Sequence, residues 1–174
     1  MKYVCLLRGI NVGGNRKVSM SHLRSVFEEL GYKNVSTYIN SGNVIFSSDD
    51  VPSASMIEET LTKVFGFDIP AHIVDAERMR IIAEAIPEAW QNDKMQKSDV
   101  IYLLPDIDVA EIIDTIGHKP EIETIVYVPG ALLCNIERTK QSRASLLKLM
   151  ATPIYKRITI RNVNTARKLV ELCA

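Results

Sequence analysis

The sequence predicts an α+β fold made of two consecutive β-α-β-β-α-β repeats with an extra helix at the C-terminus. Two observations carry this prediction. Short apolar, β-rich runs alternate with segments whose apolar residues recur at helical spacing, and this order of elements occurs twice along the 174 residues. The composition, with 47% hydrophobic and 24% charged residues, is that of an ordinary globular protein. The length accommodates two small lobes.

The first repeat, residues 1–75, is predicted to form lobe 1. Its helices are indicated by serines at N-cap positions, Ser19 and Ser53, each followed by apolar residues at helical spacing. Its middle strands are joined by a polar turn typical of an antiparallel hairpin. The order of elements is that of a ferredoxin-like plait. The predicted elements are a strand Tyr3–Arg8, a helix from Ser19 to Gly31, a hairpin of Asn34–Ile39 and Val44–Ser47, a helix from Ser53 to Phe65 and a strand Phe67–Val74.

The second repeat, residues 99–174, is predicted to form lobe 2, with the C-terminal helix added. A helix capped by Asp75 and a polar linker containing Trp90 occupy residues 76–98 before it. The fold class is therefore a duplication of two ferredoxin-like plaits, repeated in outline and without recognisable sequence identity. The predicted elements are a strand Val100–Leu104, a helix 109–116, paired strands Ile122–Val128 and Ala131–Ile136, a helix 146–150, a strand Ile158–Arg161 and the final helix from Asn162 or Asn164 onward.

The charges are unevenly distributed although the net charge is zero. The segment Arg138–Lys168 holds nine Lys or Arg and no acid, whereas Asp49–Asp93 holds ten acidic residues against three basic ones. One interpretation is a dipolar surface of solvated charge. The other is that the C-terminal third faces an anion, and the neutrality of the whole chain makes nucleic acid the less favoured form of that anion.

Several classes of protein are disfavoured by what the sequence lacks. No stretch approaches the roughly 20 apolar residues of a membrane span, and the apolar N-terminus is broken by Arg8, so that it is interpreted as a strand and not as a signal peptide. The three cysteines and three histidines are scattered, without C-x-x-C or metal-ligand spacing. We therefore expect no metal, no cofactor, no membrane contact and a cytoplasmic location.

The loop Gly9–Val18 is the most informative segment. It joins a strand to a helix through more residues than the usual 2 to 6 or so, and it contains three glycines, two asparagines and two cations. Glycines let backbone N–H groups face a ligand, and a helix N-terminus favours negative charge. The loop is neither a Walker A loop nor a dinucleotide fingerprint, because both spacings are absent.

Topology adds a second loop to this site. In a ferredoxin-like plait with strand order 4-1-3-2, the end of strand 1 lies at the same end of the sheet as the turn between strands 2 and 3. The two loops are therefore predicted to meet and to form a ligand site; the alternative is that the asparagines only cap backbone groups in tight turns. The candidate ligand-binding residues are Arg8, Asn11, Gly13, Gly14, Arg16, Lys17, Asn40, Ser41 and Asn43.

A third polar cluster opens the final helix and contains Arg161, Asn162 and Asn164. Either asparagine can serve as an N-cap without any ligand, and the alternative is that this helix N-terminus also faces an anion. No catalytic residues are identified, because no Ser-His-Asp or Cys-His arrangement can be argued. Cys5 and Cys134 lie in predicted strands and are interpreted as small core residues.

Three segments resemble the hallmark motifs of the domain-of-unknown-function family 1697. They are Leu6–Gly14, Thr37–Val44 and Thr159–Thr165, and the resemblance covers nearly the whole chain. It implies two ferredoxin-like subdomains, implies no activity, and marks the three polar clusters as the places to search. The third motif departs from the family, which usually has Trp where this chain has Val163 and often Thr or Ala where it has Ile160.

The favoured hypothesis is binding of an anionic small molecule, phosphorylated or carboxylate, at one end of the lobe 1 sheet by an enzyme or a sensor. One alternative is an RNA-binding module, for which only Tyr3 and Phe46 are sheet aromatics able to stack on bases. The other is a non-catalytic protein-interaction or homodimer module that uses exposed edge strands. The sequence leaves the oligomeric state open.

Overall fold

The structure, a computed structural model, describes residues 1–174. The chain divides into two compact units: unit 1 comprises Met1–Met79 with Leu169–Ala174, and unit 2 comprises Arg80–Lys168. Each unit contains one four-stranded antiparallel sheet with helices. The predicted fold class, a duplicated ferredoxin-like plait with a C-terminal helix, is confirmed.

Unit 1 has the strand order β2-β3-β1-β4, which is the predicted order 4-1-3-2 counted from the opposite edge. Both neighbours of β1 run antiparallel to it, so that its C-terminal end lies beside the turn between β2 and β3. The elements are β1 (Lys2–Leu7), α1 (Met20–Glu29), β2 (Lys33–Tyr38), β3 (Asn43–Ser47), α2 (Ala54–Phe65) and β4 (Ala71–Asp75).

Both helices of unit 1 begin where their capping serines predict. The Ser19 side chain accepts a hydrogen bond from the His22 N–H, and the Ser53 side chain accepts one from the Met56 N–H at 3.3 Å. The helix α2 ends at Gly66, whose φ of 79° is the left-handed conformation of a helix C-terminus. With only 12 residues, α2 is the longest helix, and no helix is long and apolar enough to cross a membrane.

The fourth strand is shorter than predicted, because it begins at Ala71 and not at Phe67. Pro70 has no N–H to donate to a sheet ladder. Its carbonyl instead accepts a hydrogen bond from the Arg8 N–H at 3.0 Å, and this bond closes the end of the sheet beside β1.

Aromatic rings fill the space between the unit 1 sheet and its helices. The Phe46 ring lies 5.8 Å from the Tyr3 ring, 5.4 Å from the Phe27 ring and 4.5 Å from the Tyr32 ring, measured between centroids. All four side chains are at most 8% exposed. Tyr3 and Phe46 therefore belong to the core of this unit and not to an exposed face of the sheet.

Unit 2 repeats the topology, with strand order β6-β7-β5-β8. The two helices between its strands are short: α4 has four residues and α5 has five. The predicted helix 109–116 is thus reduced to a single turn before Gly117, and no side chain caps its N-terminus. The elements are β5 (Gln96–Leu103), α4 (Ile112–Thr115), β6 (Glu123–Val128), β7 (Ala131–Glu137), α5 (Ser145–Leu149) and β8 (Ile158–Asn162).

The boundary between the two units falls inside helices at both places where the chain crosses it. The first crossing lies in α3 (Ala76–Glu84), and the second lies in α6 (Val163–Cys173). Asp75 caps α3, because its side chain accepts a hydrogen bond from the Arg78 N–H at 2.8 Å. The last residues of the chain thus belong to the unit that holds its N-terminus.

Candidate functional site

The loop between β1 and α1 contains a small hairpin. The Asn11 N–H donates to the Arg16 carbonyl at 3.0 Å, and the Asn15 N–H donates to the Val12 carbonyl at 3.1 Å. Gly13 and Gly14 form the tip with φ values of 59° and 78°. Two successive positive φ angles define a type I′ turn, which glycine adopts without steric cost. The turn itself therefore accounts for the two glycines.

Asn11 links the segments that surround the loop. Its amide oxygen accepts from the Val18 N–H at 2.8 Å, while its amide nitrogen donates to the carbonyls of Val18 and Asn40 at 3.0 and 2.9 Å. One side chain thus ties the loop to the entry of α1 and to the turn between β2 and β3. The alternative predicted from the sequence, that an asparagine only caps backbone groups, applies to Asn11, because its side-chain amide is hydrogen-bonded to backbone groups of the chain.

The two loops meet at the end of the sheet. The Leu7 N–H donates to the Gly42 carbonyl at 2.8 Å, and a Cβ atom at Gly42 would lie 2.8 Å from side-chain atoms of Leu7 and Ile10. Such a contact is closer than packed atoms tolerate, and the φ of Gly42 is also positive, at 80°. The convergence predicted from topology is therefore present, and a glycine permits it.

The asparagine that ends this turn is a buried structural residue. Asn43 has no exposed surface, and its amide nitrogen donates to the Tyr38 carbonyl at 2.9 Å and to the Ser41 hydroxyl at 3.0 Å. These bonds satisfy a buried polar group and hold the turn closed. Asn43 therefore stabilises the turn from the buried side, and the exposed Ser41 accepts one of its hydrogen bonds.

Arg16 is held against a neighbouring segment. Its guanidinium carbon lies 4.8 Å from the centroid of the Phe67 ring, the distance of a cation–π contact, and its Nη2 donates to the Asp68 carbonyl. A Cβ atom at Gly9 would lie 3.2 Å from the Arg16 Nη1, so the guanidinium also passes close to the Gly9 backbone. This side chain is directed to the segment before β4.

A cleft of about 540 Å³ lies between the two loops at the start of α1. Lys17 is the one charged residue that lines it, and the chain provides no partner for its exposed ammonium group. The cleft contains no acidic side chain, so its electrostatic potential favours an anion. Of the predicted residues, Asn11, Gly14, Lys17 and Asn40 line it; its other walls are Val18 and Ser19.

The third polar cluster lies in unit 2 at the start of α6. The Asn162 amide oxygen accepts from the Thr165 N–H at 2.9 Å, which is an N-cap. The Asn164 amide nitrogen donates to the Asn92 carbonyl at 3.4 Å, and the Arg161 Nη1 donates to the carbonyl of Ile160 at 2.9 Å. The capping interpretation accounts for Asn162, and ligand binding by this cluster stays a prediction.

The acid-free segment Arg138–Lys168 does not form a continuous field of free cations. Arg157 forms an ion pair with Asp106 at 2.5 Å, and Lys140 forms one with Glu137 at 2.8 Å. Both acids lie outside the segment. Part of its positive charge is therefore neutralised locally.

A second cavity, which the sequence reasoning missed, lies in unit 2 and has a volume of about 350 Å³. Asp99 and Cys134 are among its lining residues. Burial raises the pKa of the Asp99 carboxyl, although Lys97 and Arg138 lower it in part. Burial, and then the nearby Asp99 and Glu123, raise the pKa of the Cys134 thiol. The available sequence signal was the pair of charged residues, Lys97 and Asp99, at alternate positions in the polar first half of β5.

The fold and the loop cleft define an α+β protein built by duplication of a ferredoxin-like plait, with a polar cleft at one end of the first sheet. The family described as protein of unknown function (DUF1697) matches residues 1–133. Because this match covers more than half of the chain, the chain belongs to that family, and the expected resemblance is confirmed.

One solved structure is similar over nearly the full length of both chains. It is the conserved bacterial protein SP0830 from Streptococcus pneumoniae, which is 30% identical in sequence and has a TM-score of 0.79. The similarity covers 99% of this chain and 98% of that chain. No curated protein shows significant similarity to the chain.

Proposed function

We propose that the protein binds a small anionic molecule, phosphorylated or carboxylate, in the cleft between the first loop and the β2–β3 turn of unit 1. The observation that carries this proposal is the lining of the cleft, where Lys17 stands beside the start of α1 and no acid is present. We propose a cytoplasmic protein, since its three cysteines are all free thiols.

The N-terminus of α1 supports the anion. The first N–H groups of a helix have no partner within the helix and carry about half a positive charge together with the helix dipole. The helix has ten residues, and its first turn contains no acidic side chain to neutralise that charge. Ser19 caps the His22 N–H, so the N–H groups of Met20 and Ser21 are left for a ligand.

Lys17 adds a full charge at the same place. An ammonium group provides three donors on a flexible stem, which suits a phosphate or a carboxylate of variable orientation. Because the ammonium group is exposed, its attraction to an anion is screened by salt. We therefore expect moderate affinity that decreases as the ionic strength rises.

The remaining predicted residues have supporting roles in this proposal. Asn11 fixes the two walls of the cleft to each other, and Arg16 anchors the loop to the segment before β4. Arg8 is half-buried and follows β1 directly, with its N–H bonded to Pro70. We assign ligand contact to Lys17, Asn40 and the backbone of Gly14.

The experiment titrates the protein with inorganic phosphate, a sugar phosphate and a dicarboxylate while the amide resonances of Gly14 and Ser19 are followed by NMR. The Lys17→Gln variant is expected to bind about tenfold more weakly, since a hydrogen bond to a charged group contributes about 1.5–3 kcal/mol. Lys156→Gln is the matched control, because Lys156 is an exposed lysine of unit 2. Equal affinities for the Lys17→Gln and control proteins, or no response to any anion, would refute the proposal.

RNA binding and protein interaction stay as alternative functions. The stacking residues on which the RNA hypothesis depended, Tyr3 and Phe46, are 6% and 1% exposed in the core of unit 1, so they offer no platform for bases. Short single-stranded RNA is included in the titration. Binding of RNA with steep salt dependence would replace the small-molecule proposal.

A further inference from the structure

The two sheets can be compared position by position because their registers are equivalent. The Leu7 N–H donates to the Gly42 carbonyl in unit 1, and the Leu103 N–H donates in the same way to the Gly130 carbonyl in unit 2. Leu7 and Leu103 therefore occupy equivalent positions. Counting back four residues along each strand makes Asp99 of β5 the equivalent of Tyr3 of β1.

The residues that pair with Tyr3 and Asp99 on the neighbouring strand also differ between the two sheets. Tyr3 pairs with Phe46, whereas Asp99 pairs with Cys134. An acid and a thiol thus replace two stacked aromatic rings on the face of the sheet that the helices cover. The lost ring volume accounts for part of the cavity in unit 2.

The helices account for the remainder of the space. In unit 1, α1 and α2 have 10 and 12 residues, and α1 contributes Phe27 to the aromatic cluster. In unit 2, α4 and α5 have four and five residues. The sheet of unit 2 is therefore incompletely covered, and a cavity of about 350 Å³ remains over it. Cavities in protein cores are usually few and small. The volume of this cavity is instead within the range of small-molecule sites.

The lining of the cavity is polar at one end and apolar over most of its wall. Lys97, Asp99 and Glu123 lie toward one end of the sheet, and apolar side chains lie toward the other end and on α5. Such a wall, with a few polar groups, is typical of small-molecule sites. The apolar residues include Ile101, Ile125, Ile160, Leu146, Leu147 and Met150.

Asp99 is a buried acid of this cavity with a single side-chain partner in the chain. Only 8% of this residue is exposed, and its contact in the chain is the Lys97 Nζ at 3.4 Å from Oδ2. A carboxylate has about four acceptor sites, so most of its capacity is unused. Glu123 differs, because its carboxylate accepts from the Ser145 N–H, at 3.2 Å to each oxygen, and from the Ser145 hydroxyl.

The second cation of the lining is already engaged by neutral acceptors. The Arg138 Nε donates to the Asp93 carbonyl at 2.9 Å, Nη2 donates to the Asn92 amide oxygen at 2.9 Å, and Nη1 donates to the Gln141 amide oxygen at 3.2 Å. Lys97 lies beside Asp99 with a side chain that is 37% exposed, so the buried group whose capacity remains unused is the Asp99 carboxylate, an acceptor. The polar end of the cavity therefore suits a ligand group that donates hydrogen bonds.

We propose that the cavity of unit 2 binds a small molecule with an apolar body and an amine head group. The head group donates to the Asp99 carboxylate, and the body packs on the isoleucines of the sheet and on Leu146 and Leu147. At about 30 Å³ per water, a cavity of about 350 Å³ has the space of roughly a dozen water molecules. This volume suits a compact ligand.

The test uses hexylamine, hexanol and hexanoate as probes of equal length on the full chain, with NMR of the isoleucine and leucine methyl groups as the readout. Hexylamine is expected to shift the methyl signals of Ile101, Ile125 and Leu147. In the Asp99→Asn protein its affinity should fall about tenfold, the effect of losing one hydrogen bond to a charged group. Glu111→Gln, which removes an exposed acid of the same unit, should bind hexylamine normally.

A second variant tests the cavity independently of its charge. Cys134→Phe introduces the residue that unit 1 has at the equivalent position, Phe46, and is expected to fill the space and abolish the methyl shifts while the protein stays folded. Equal binding of hexylamine and hexanoate, unchanged affinity in Asp99→Asn, or undiminished shifts in Cys134→Phe would overturn the proposal. Lys17→Gln should bind hexylamine normally, which separates this site from the anion cleft of unit 1.

Discussion

Tyr3 of β1 and Asp99 of β5 occupy equivalent positions in the two sheets. In each plait the first strand lies between the third and the fourth, so that each of these residues has a cross-strand neighbour on both sides. In unit 1, Tyr3 stacks on Phe46 and completes an aromatic core. In unit 2, Asp99 faces a cavity. The same topology thus carries an aromatic core in one copy and a partly open core in the other.

The buried hydroxyl of Tyr32 gives the first prediction. It has no hydrogen-bond partner, and a buried unsatisfied polar atom costs about 1–3 kcal/mol. Tyr32→Phe is therefore expected to raise the free energy of unfolding by about 1 kcal/mol, measured by urea denaturation. Tyr127→Phe is the matched control and should lower the free energy of unfolding, because the Tyr127 hydroxyl donates to the Asp108 carboxylate at 3.1 Å. Destabilisation by Tyr32→Phe would show that the hydroxyl is satisfied in solution.

The second prediction concerns Asn11, whose side chain makes three hydrogen bonds and whose φ is 55°. Asn11→Ala removes these bonds and places alanine in the left-handed region, so we expect a loss of about 2–4 kcal/mol from the two effects together. Asn11→Gly loses the same hydrogen bonds without the backbone strain, so it should be about 1 kcal/mol more stable than Asn11→Ala. Asn15→Ala, an exposed asparagine in the same loop, should change the unfolding free energy little. Equal effects of Asn11→Ala and Asn15→Ala would contradict the role of the Asn11 side chain in linking the loop to α1 and to the turn between β2 and β3.

The third prediction follows from the raised pKa of Cys134. The folded thiol stays protonated at a pH at which the unfolded thiol, with a pKa of about 8.5, ionises. The unfolded state therefore binds fewer protons than the folded state above that pH, and stability falls as the pH rises. The slope from this thiol is at most about 1.4 kcal/mol per pH unit. Urea unfolding at pH 7.5 and at pH 9.5 should show a smaller decrease for Cys134→Ala than for the parent chain, and an equal decrease would exclude a raised pKa.

The sequence predicted the elements and the convergence of the two loops because both depend on local signals and on one topological rule. Ser19 and Ser53 begin helices through short-range capping bonds, and the order of strands in a plait brings Leu7 beside Gly42. The roles of individual loop residues could not be derived in this way. Arg16 was predicted to be a ligand donor, but its place over Phe67 depends on a segment about fifty residues away in the sequence.

The cavity of unit 2 escaped prediction for a different reason. It depends on the register that pairs Asp99 with Cys134 and on the shortness of α4 and α5. A shift of register by one residue would place the opposite set of side chains on this face. Helical spacing at Val109 and Ile112 predicted a longer helix, but only one turn forms between the 3-10 segment at Pro105 and Gly117.

The last prediction separates stability from binding at Asp99. Its pKa is raised by burial, so the folded state binds more protons than the unfolded state at pH values between the unfolded pKa, about 3.9, and the folded pKa. The associated stability is fully present below the unfolded pKa and is lost as the pH rises through the folded pKa. The ionised carboxylate therefore destabilises the fold at pH 7, and Asp99→Asn is expected to raise the free energy of unfolding there and to have less effect near pH 3.

Urea unfolding of both proteins across this pH range measures the difference, and Glu111→Gln should show no such pH-dependent gain. A residue that costs stability in the free protein while it supplies the unused acceptor of a cavity is typical of a binding site. If Asp99→Asn instead lowered the unfolding free energy at pH 7, the ion pair with Lys97 would be structural, and the carboxylate would be unavailable to an amine.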